Sequence, residues 1–207
     1  MSSARKLRRA ALRGGTSTRR RVEGIEIVYD KLHRYDWQTP EMVAEIARLY
    51  LLANESPREA IPQLIEMIQR HPEIHVFYNY LAAAYSAAGD TERSDEVAEE
   101  NFRVNPGYLF ARLNYAELLL RHGRLDECRQ VLGEALSLQA LYPDRKRFHV
   151  SEFTGFTYAV GLYHLKSGDR DAAKSCLDLL RLVDPEAPPT KELDRQLHPI
   201  RSLFRRR

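Results

Sequence analysis

Apolar residues recur along most of this chain at the three-to-four-residue spacing of an amphipathic helix, most clearly at Phe77, Tyr78, Leu81, Ala82 and Tyr85. A stripe of that kind covers one helical face and must be buried against a neighbour. Upstream, Ile25, Ile27, Val28, Leu32 and Tyr35 predict an extra helix over residues 22–36. Thr39 and Pro40 then read as the cap and first-turn proline of the next helix. After Pro188 and Pro189, Leu193, Leu197, Ile200 and Phe204 predict a last amphipathic segment, which Pro199 should kink or end.

The helical stripes repeat at a fixed distance. Gly89 and Gly123 lie 34 residues apart, as do Pro72 and Pro106, and 17 residues separate Gly89 from Pro106 and Gly168 from Pro185. This arrangement resembles the tetratricopeptide repeat (TPR), in which a glycine turn joins helix A to helix B and a proline follows helix B. On that register residues 75–108 carry Tyr78, Leu81, Ala82, Tyr85, Ser94, Ala98 and Pro106. Residues 109–142 carry Tyr115, Ala116, Leu119, Gly123, Cys128, Leu132 and Ala135, with Arg112 in place of the first aromatic residue. Residues 154–187 carry Val160, Gly161, His164, Gly168, Ala173, Leu177, Leu180 and Pro185. A weaker unit, 41–74, has Ala47, Leu51, Ala60, Leu64 and Pro72, but Glu55 stands where glycine is expected.

The resemblance implies an all-α fold, a right-handed α-α superhelix of TPR helix hairpins. It would occupy residues 22–204, with the extra N-terminal helix in front, a C-terminal capping helix behind, and a basic disordered tail at residues 1–21. One hairpin cannot bury its own stripe, so the units must stack. The register breaks between Gly123 and Gly168, which are 45 residues apart. The extra length lies in residues 139–151, where Pro143 and Asp144 predict a loop made basic by Arg145, Lys146 and Arg147. That insertion would be either part of a binding surface or a lengthened connector.

The resemblance also implies a concave groove lined by the A helices, suited to a helix or extended peptide of a partner protein. Carried over position by position, its lining is Met42, Glu45, Leu49 and Leu52, then Val76, Asn79, Ala83 and Ser86. The later units add Phe110, Leu113, Asn114, Glu117, Leu120 and Arg121, then Tyr158, Leu162, Leu165 and Lys166. The candidate contacts are Asn79, Ser86, Phe110, Leu113, Asn114, Glu117, Arg121, Tyr158, Leu162 and Lys166. The alternative is that part of this lining is core, covered by the N-terminal helix. One TPR subtype clamps a C-terminal carboxylate with a lysine and two asparagines; Glu45, Leu49 and Tyr80 hold those places here, so no such clamp is expected.

Composition adds a constraint on partners. The net charge of +3 conceals +8 over residues 1–22 and +4 over 191–207, leaving −9 between them. The N-terminal cations Arg5, Lys6, Arg8, Arg9, Arg19, Arg20 and Arg21 form a tail with three open readings. It is an inert solvated tail, an arm for nucleic acid or another anionic surface, or an organelle presequence. A nucleic-acid-associated factor held by the basic ends is therefore the alternative to a protein scaffold. No apolar stretch is long enough to span a membrane, and a cytoplasmic protein is expected.

Nothing in the sequence reads as an enzyme, and no cofactor is expected. His71 and His75 have ligand spacing, but Pro72 separates them and no acid or cysteine joins them, so no metal is expected. Cys128, Cys176 and His164 fall on packing positions. A homodimer through Tyr108, Leu109 and Phe110 stays open.

Overall fold

The helices begin where the chain supplies oxygen caps. Thr39 accepts a hydrogen bond from the Met42 amide at 3.2 Å, with Pro40 in the first turn. Asp90 accepts from Arg93 at 3.1 Å and Asp169 from Ala172 at 2.9 Å, each at the start of a helix B. Gly89, Gly123 and Gly168 follow the A helices at φ +87°, +72° and +90°, a region that Cβ-bearing residues resist.

The computed structural model of this protein describes residues 19–22, 24–29 and 39–199. Arg5, Lys6, Arg8, Arg9, Leu32, Tyr35, Trp37, Ile200 and Phe204 lie outside those residues. Two strands come first, β1 (Arg19–Val22) and β2 (Ile25–Val28). Helices α1 (Pro40–Glu55) and α2 (Pro57–Arg70) form the first hairpin, and α3 (Val76–Ala87) and α4 (Thr91–Val104) the second. The third is α5 (Leu109–Arg121) with a short α6 (Leu125–Leu132). After α7 (Leu138–Leu141) and β3 (Arg147–His149), α8 (Val150–Lys166) and α9 (Arg170–Val183) make the fourth. Helix α10 (Pro188–Leu197) packs on both α8 and α9. Consecutive hairpins stack, so the molecule is an all-α repeat superhelix with a small sheet attached.

Two apolar clusters hold it together. One joins the first two hairpins through Leu49, Leu64, Ile74, Phe77 and Leu81. The larger joins the sheet, the last two hairpins and α10 through Ile27, Leu119, Phe148, Leu177 and Leu193. Helix α10 seals the end as expected: a Cβ at Gly161 would come within 2.6 Å of Leu193 Cδ2, so the absent side chain is what lets α10 sit down on α8. The helix stops at Leu197, before Pro199.

Two expectations are corrected. Residues 19–28 form a β-hairpin where an amphipathic helix was predicted over 22–36. Val22 pairs with Ile25 across a two-residue turn in which Gly24 sits at φ +88°. Ile25 and Ile27 are buried on either side of half-buried Glu26, and that alternation is a strand signal. Consequently Arg19, Arg20 and Arg21, expected in a disordered tail, belong to β1.

The insertion differs from the predicted loop as well. Helix α6 ends at Gly133 after eight residues, so Ala135 falls outside it. The chain then lays β3 parallel to β2, pairing Glu26 with Arg147 and Ile27 with Phe148. The fourth hairpin starts at Val150 instead of residue 154. His149 and Glu152 form a reciprocal cap there, with the Glu152 carboxylate accepting from the His149 amide at 2.8 Å.

Candidate functional site

Five of the candidate contacts come together. Asn79 and Ser86 on α3, and Asn114, Glu117 and Arg121 on α5, line a groove of about 230 Å³. Ala83 lies on its α3 wall, and Ala82, Ser94 and Ala98 complete it. Helix A of one unit lies beside helix A of the next, so residues at matching positions face the same channel. Alanines at 82, 83 and 98 keep it open.

An amide network sets the polarity of the channel. The Asn79 carbonyl oxygen accepts from Asn114 at 2.9 Å and from Asn101 at 3.0 Å, while its own amide donates to the Tyr108 hydroxyl at 3.2 Å. Asn101 is 1% exposed and accepts in turn from Asn105 at 3.0 Å. These bonds fix which end of each amide faces the groove. Sequence reading missed Asn101 because it lies on helix B, outside the A-helix register; the signal for it was a polar residue one turn after Ala98 in an apolar stripe. His75 stacks on Tyr108 with ring centroids 3.6 Å apart, and burial depresses its pKa to about 4, so the ring is neutral at physiological pH.

Glu117 is the electrostatic centre of the site. Half-buried, it makes no side-chain hydrogen bond among the described residues. Desolvation raises its pKa; Arg121 opposes the rise and Glu192 of α10 adds to it. Arg121 is itself committed elsewhere, bonding Asp95 of α4, which also contacts His122 at 2.8 Å. Burial raises the pKa of the Tyr158 phenol, and the Glu117 and Glu192 carboxylates add to the rise.

The remaining candidates lie elsewhere. Leu113 is 4% exposed and meets the backbone of Gly155, where a Cβ would lie 3.0 Å from Leu113 Cδ1. Leu162 is 7% exposed within the larger cluster. Both side chains belong to the core of the larger cluster. Phe110 is half-buried and packs edge-on to Tyr108 at 5.6 Å, while Lys166 is exposed at the end of α8. Cys128 is buried and its thiol is pushed up to about 12 by desolvation, which leaves it protonated and unreactive.

A second cavity of about 560 Å³ opens where α6 is cut short, lined by apolar residues such as Phe153, Phe156 and Leu179 and by polar ones such as Arg129, Glu134 and His164. Among the described residues no group of three His, Cys, Asp or Glu side chains is placed to hold a metal, and no helix is long and apolar enough to cross a membrane.

A family model described as tetratricopeptide repeat matches residues 109–134, which are helices α5 and α6 and the turn between them. No curated protein and no solved structure gives a match. The third hairpin is therefore similar to a tetratricopeptide repeat, and the hairpins on either side are TPR-like in build. Repeats of this family serve in general as protein–protein interaction scaffolds and not as enzymes.

Proposed function

We propose that the protein is an interaction adaptor whose groove between α3 and α5 holds an extended peptide segment of a partner protein. The observation that carries this reading is the shared channel of Asn79, Ser86, Asn114 and Glu117, with amides already oriented by Asn101 and Tyr108. Preoriented amides on an open channel offer donors and acceptors to a peptide backbone at low ordering cost. Glu117, held in a desolvated position that favours a cationic neighbour, supports a lysine or arginine in the bound segment.

A peptide library selected against the wild-type protein tests the proposal, with affinities then measured by calorimetry. Ala83→Arg fills the channel from an exposed helical position and should weaken the selected peptides at least tenfold, about 1.4 kcal/mol. Equal binding by Ala83→Arg would place the peptide elsewhere and sink the reading.

Glu117→Gln should separate charge from shape. A carboxyl whose folded pKa is raised binds more protons folded than unfolded, so it adds stability only as pH falls through that raised value. At neutral pH it is a cost, and Glu117→Gln is expected to raise the melting temperature. The same variant should weaken peptides carrying lysine or arginine by about tenfold and leave neutral ones unchanged. An unchanged affinity for cationic peptides would remove Glu117 from recognition.

A further inference from the structure

Helix B is 14 residues long in the first, second and fourth hairpins, but α6 of the third has eight. The missing length is about 9 Å of helix. Gly133 at φ +83° turns the chain out of the helical path. Leu136 completes the turn at φ +48°, its amide donating to the Gly133 carbonyl at 2.8 Å. A leucine in the left-handed region is strained, because its Cβ crowds the backbone carbonyl. An unfavourable conformation is thus held at the edge of the space that the rest of a helix B would fill.

That space is the cavity of about 560 Å³, a size typical of small-molecule sites. Phe153, Phe156, Thr157 and Val160 form one helical stripe of α8 along it, and Ser175 and Leu179 lie on its α9 side. Thr157 is 6% exposed. Its hydroxyl makes no hydrogen bond among the described residues, yet the oxygen is not sealed in the core, so it opens on the cavity. Neighbouring hydroxyls are spent on the preceding turn: Thr154 donates to the Val150 carbonyl at 2.9 Å and Ser175 to the Asp171 carbonyl at 3.1 Å. On the connector, Ser137 precedes α7 without a side-chain capping bond. Arg129 and Glu134, also on the lining, are joined to each other at 2.8 Å, and the same guanidinium donates to the Glu134 carbonyl at 3.1 Å. The lining therefore offers apolar surface and uncommitted hydroxyls, with this cation and anion already paired.

We infer that this cavity is a binding site for a neutral small molecule with an apolar body and a hydroxyl or carbonyl group. An unpaired hydroxyl among apolar side chains is costly, and a ligand that reaches Thr157 recovers the hydrogen bond. Phe153 and Phe156 supply aromatic surface for a planar body. A charged ligand would give up its hydration beside an Arg129 and a Glu134 that already neutralise each other. A helix of a partner protein is too broad an occupant, because Thr157 is nearly closed off and only a small group reaches it. The site shares no lining residue with the groove between α3 and α5, so the two stand or fall separately.

Three matched probes test this on the full chain by heteronuclear NMR titration. They are 2-naphthalenemethanol, 2-methylnaphthalene and 2-naphthoate, which carry a hydroxyl, a methyl and a carboxylate on one body. The alcohol is expected to bind most tightly and to shift the amide signals of Thr157 and Leu136 while leaving those of Asn79 and Asn114 in place. Thr157→Val keeps the shape and removes the hydroxyl. It should weaken the alcohol about fivefold, to the level of the methyl compound, whose own affinity stays unchanged. Its melting temperature should hold or rise, since an unpaired hydroxyl leaves the interior. Ser175→Trp, at an exposed position beside the cavity, should block all three probes, while Ala83→Arg should alter none. No binding by the wild type, a carboxylate that binds as tightly as the alcohol, or an alcohol whose affinity survives Thr157→Val or Ser175→Trp would each overturn the inference.

Discussion

Phe148→Ala is expected to lower the unfolding free energy by about 3–5 kcal/mol, measured by urea denaturation. The ring is fully buried in the larger cluster, from a strand only three residues long. Its neighbours include the Arg145 guanidinium, 4.3 Å from the ring centre, and Tyr142, edge-on at 6.1 Å. Truncation leaves a cavity under β2, and three residues of backbone pairing cannot make good the lost contacts. Hydrogen exchange should then speed at Ile25–Val28 before it speeds in α1 or α3, which belong mainly to the other cluster. A loss below about 1 kcal/mol would mean that the sheet is an ornament on the solenoid.

Leu113→Asp should be as damaging. Its A-helix register pointed to the groove, yet the side chain is 4% exposed and packs on the backbone at Gly155. A carboxylate there must be desolvated without a partner or held protonated, and the expected loss is about 4 kcal/mol or more. Thermal melting of Leu113→Asp beside Ala83→Arg makes the contrast direct. The first should unfold early and lose every activity with its fold; the second should melt like the wild type and lose only peptide binding. If Leu113→Asp melts normally, the α5–α8 contact is looser than the packing implies, and the residue returns to the binding surface.

Much of the molecule was legible in the residues. Glycine turns, Asp caps and apolar stripes act over three or four positions, and one unit's contacts lie within itself or the next. The groove followed as far as neighbouring A helices face one channel: Asn79, Ser86, Asn114, Glu117 and Arg121 all reached it. Leu113 and Leu162 did not, because helix register assigns a face and burial depends on what packs against that face. Asn101 was invisible for the converse reason, being a helix-B residue that shapes a helix-A surface.

Local pattern thus determined the repeats, their capping helix and the acidic body between basic ends. What it could not supply was the sheet. Residues 25–28 permit a helical or an extended reading, and the choice is made by Arg147–His149, which pair with them from the far side of three helical hairpins. Strand pairing between such distant segments is decided by the assembled core, where burying Ile27 and Phe148 together outweighs any local preference. Only the tertiary structure therefore placed Arg19 and Arg21 beside Arg147.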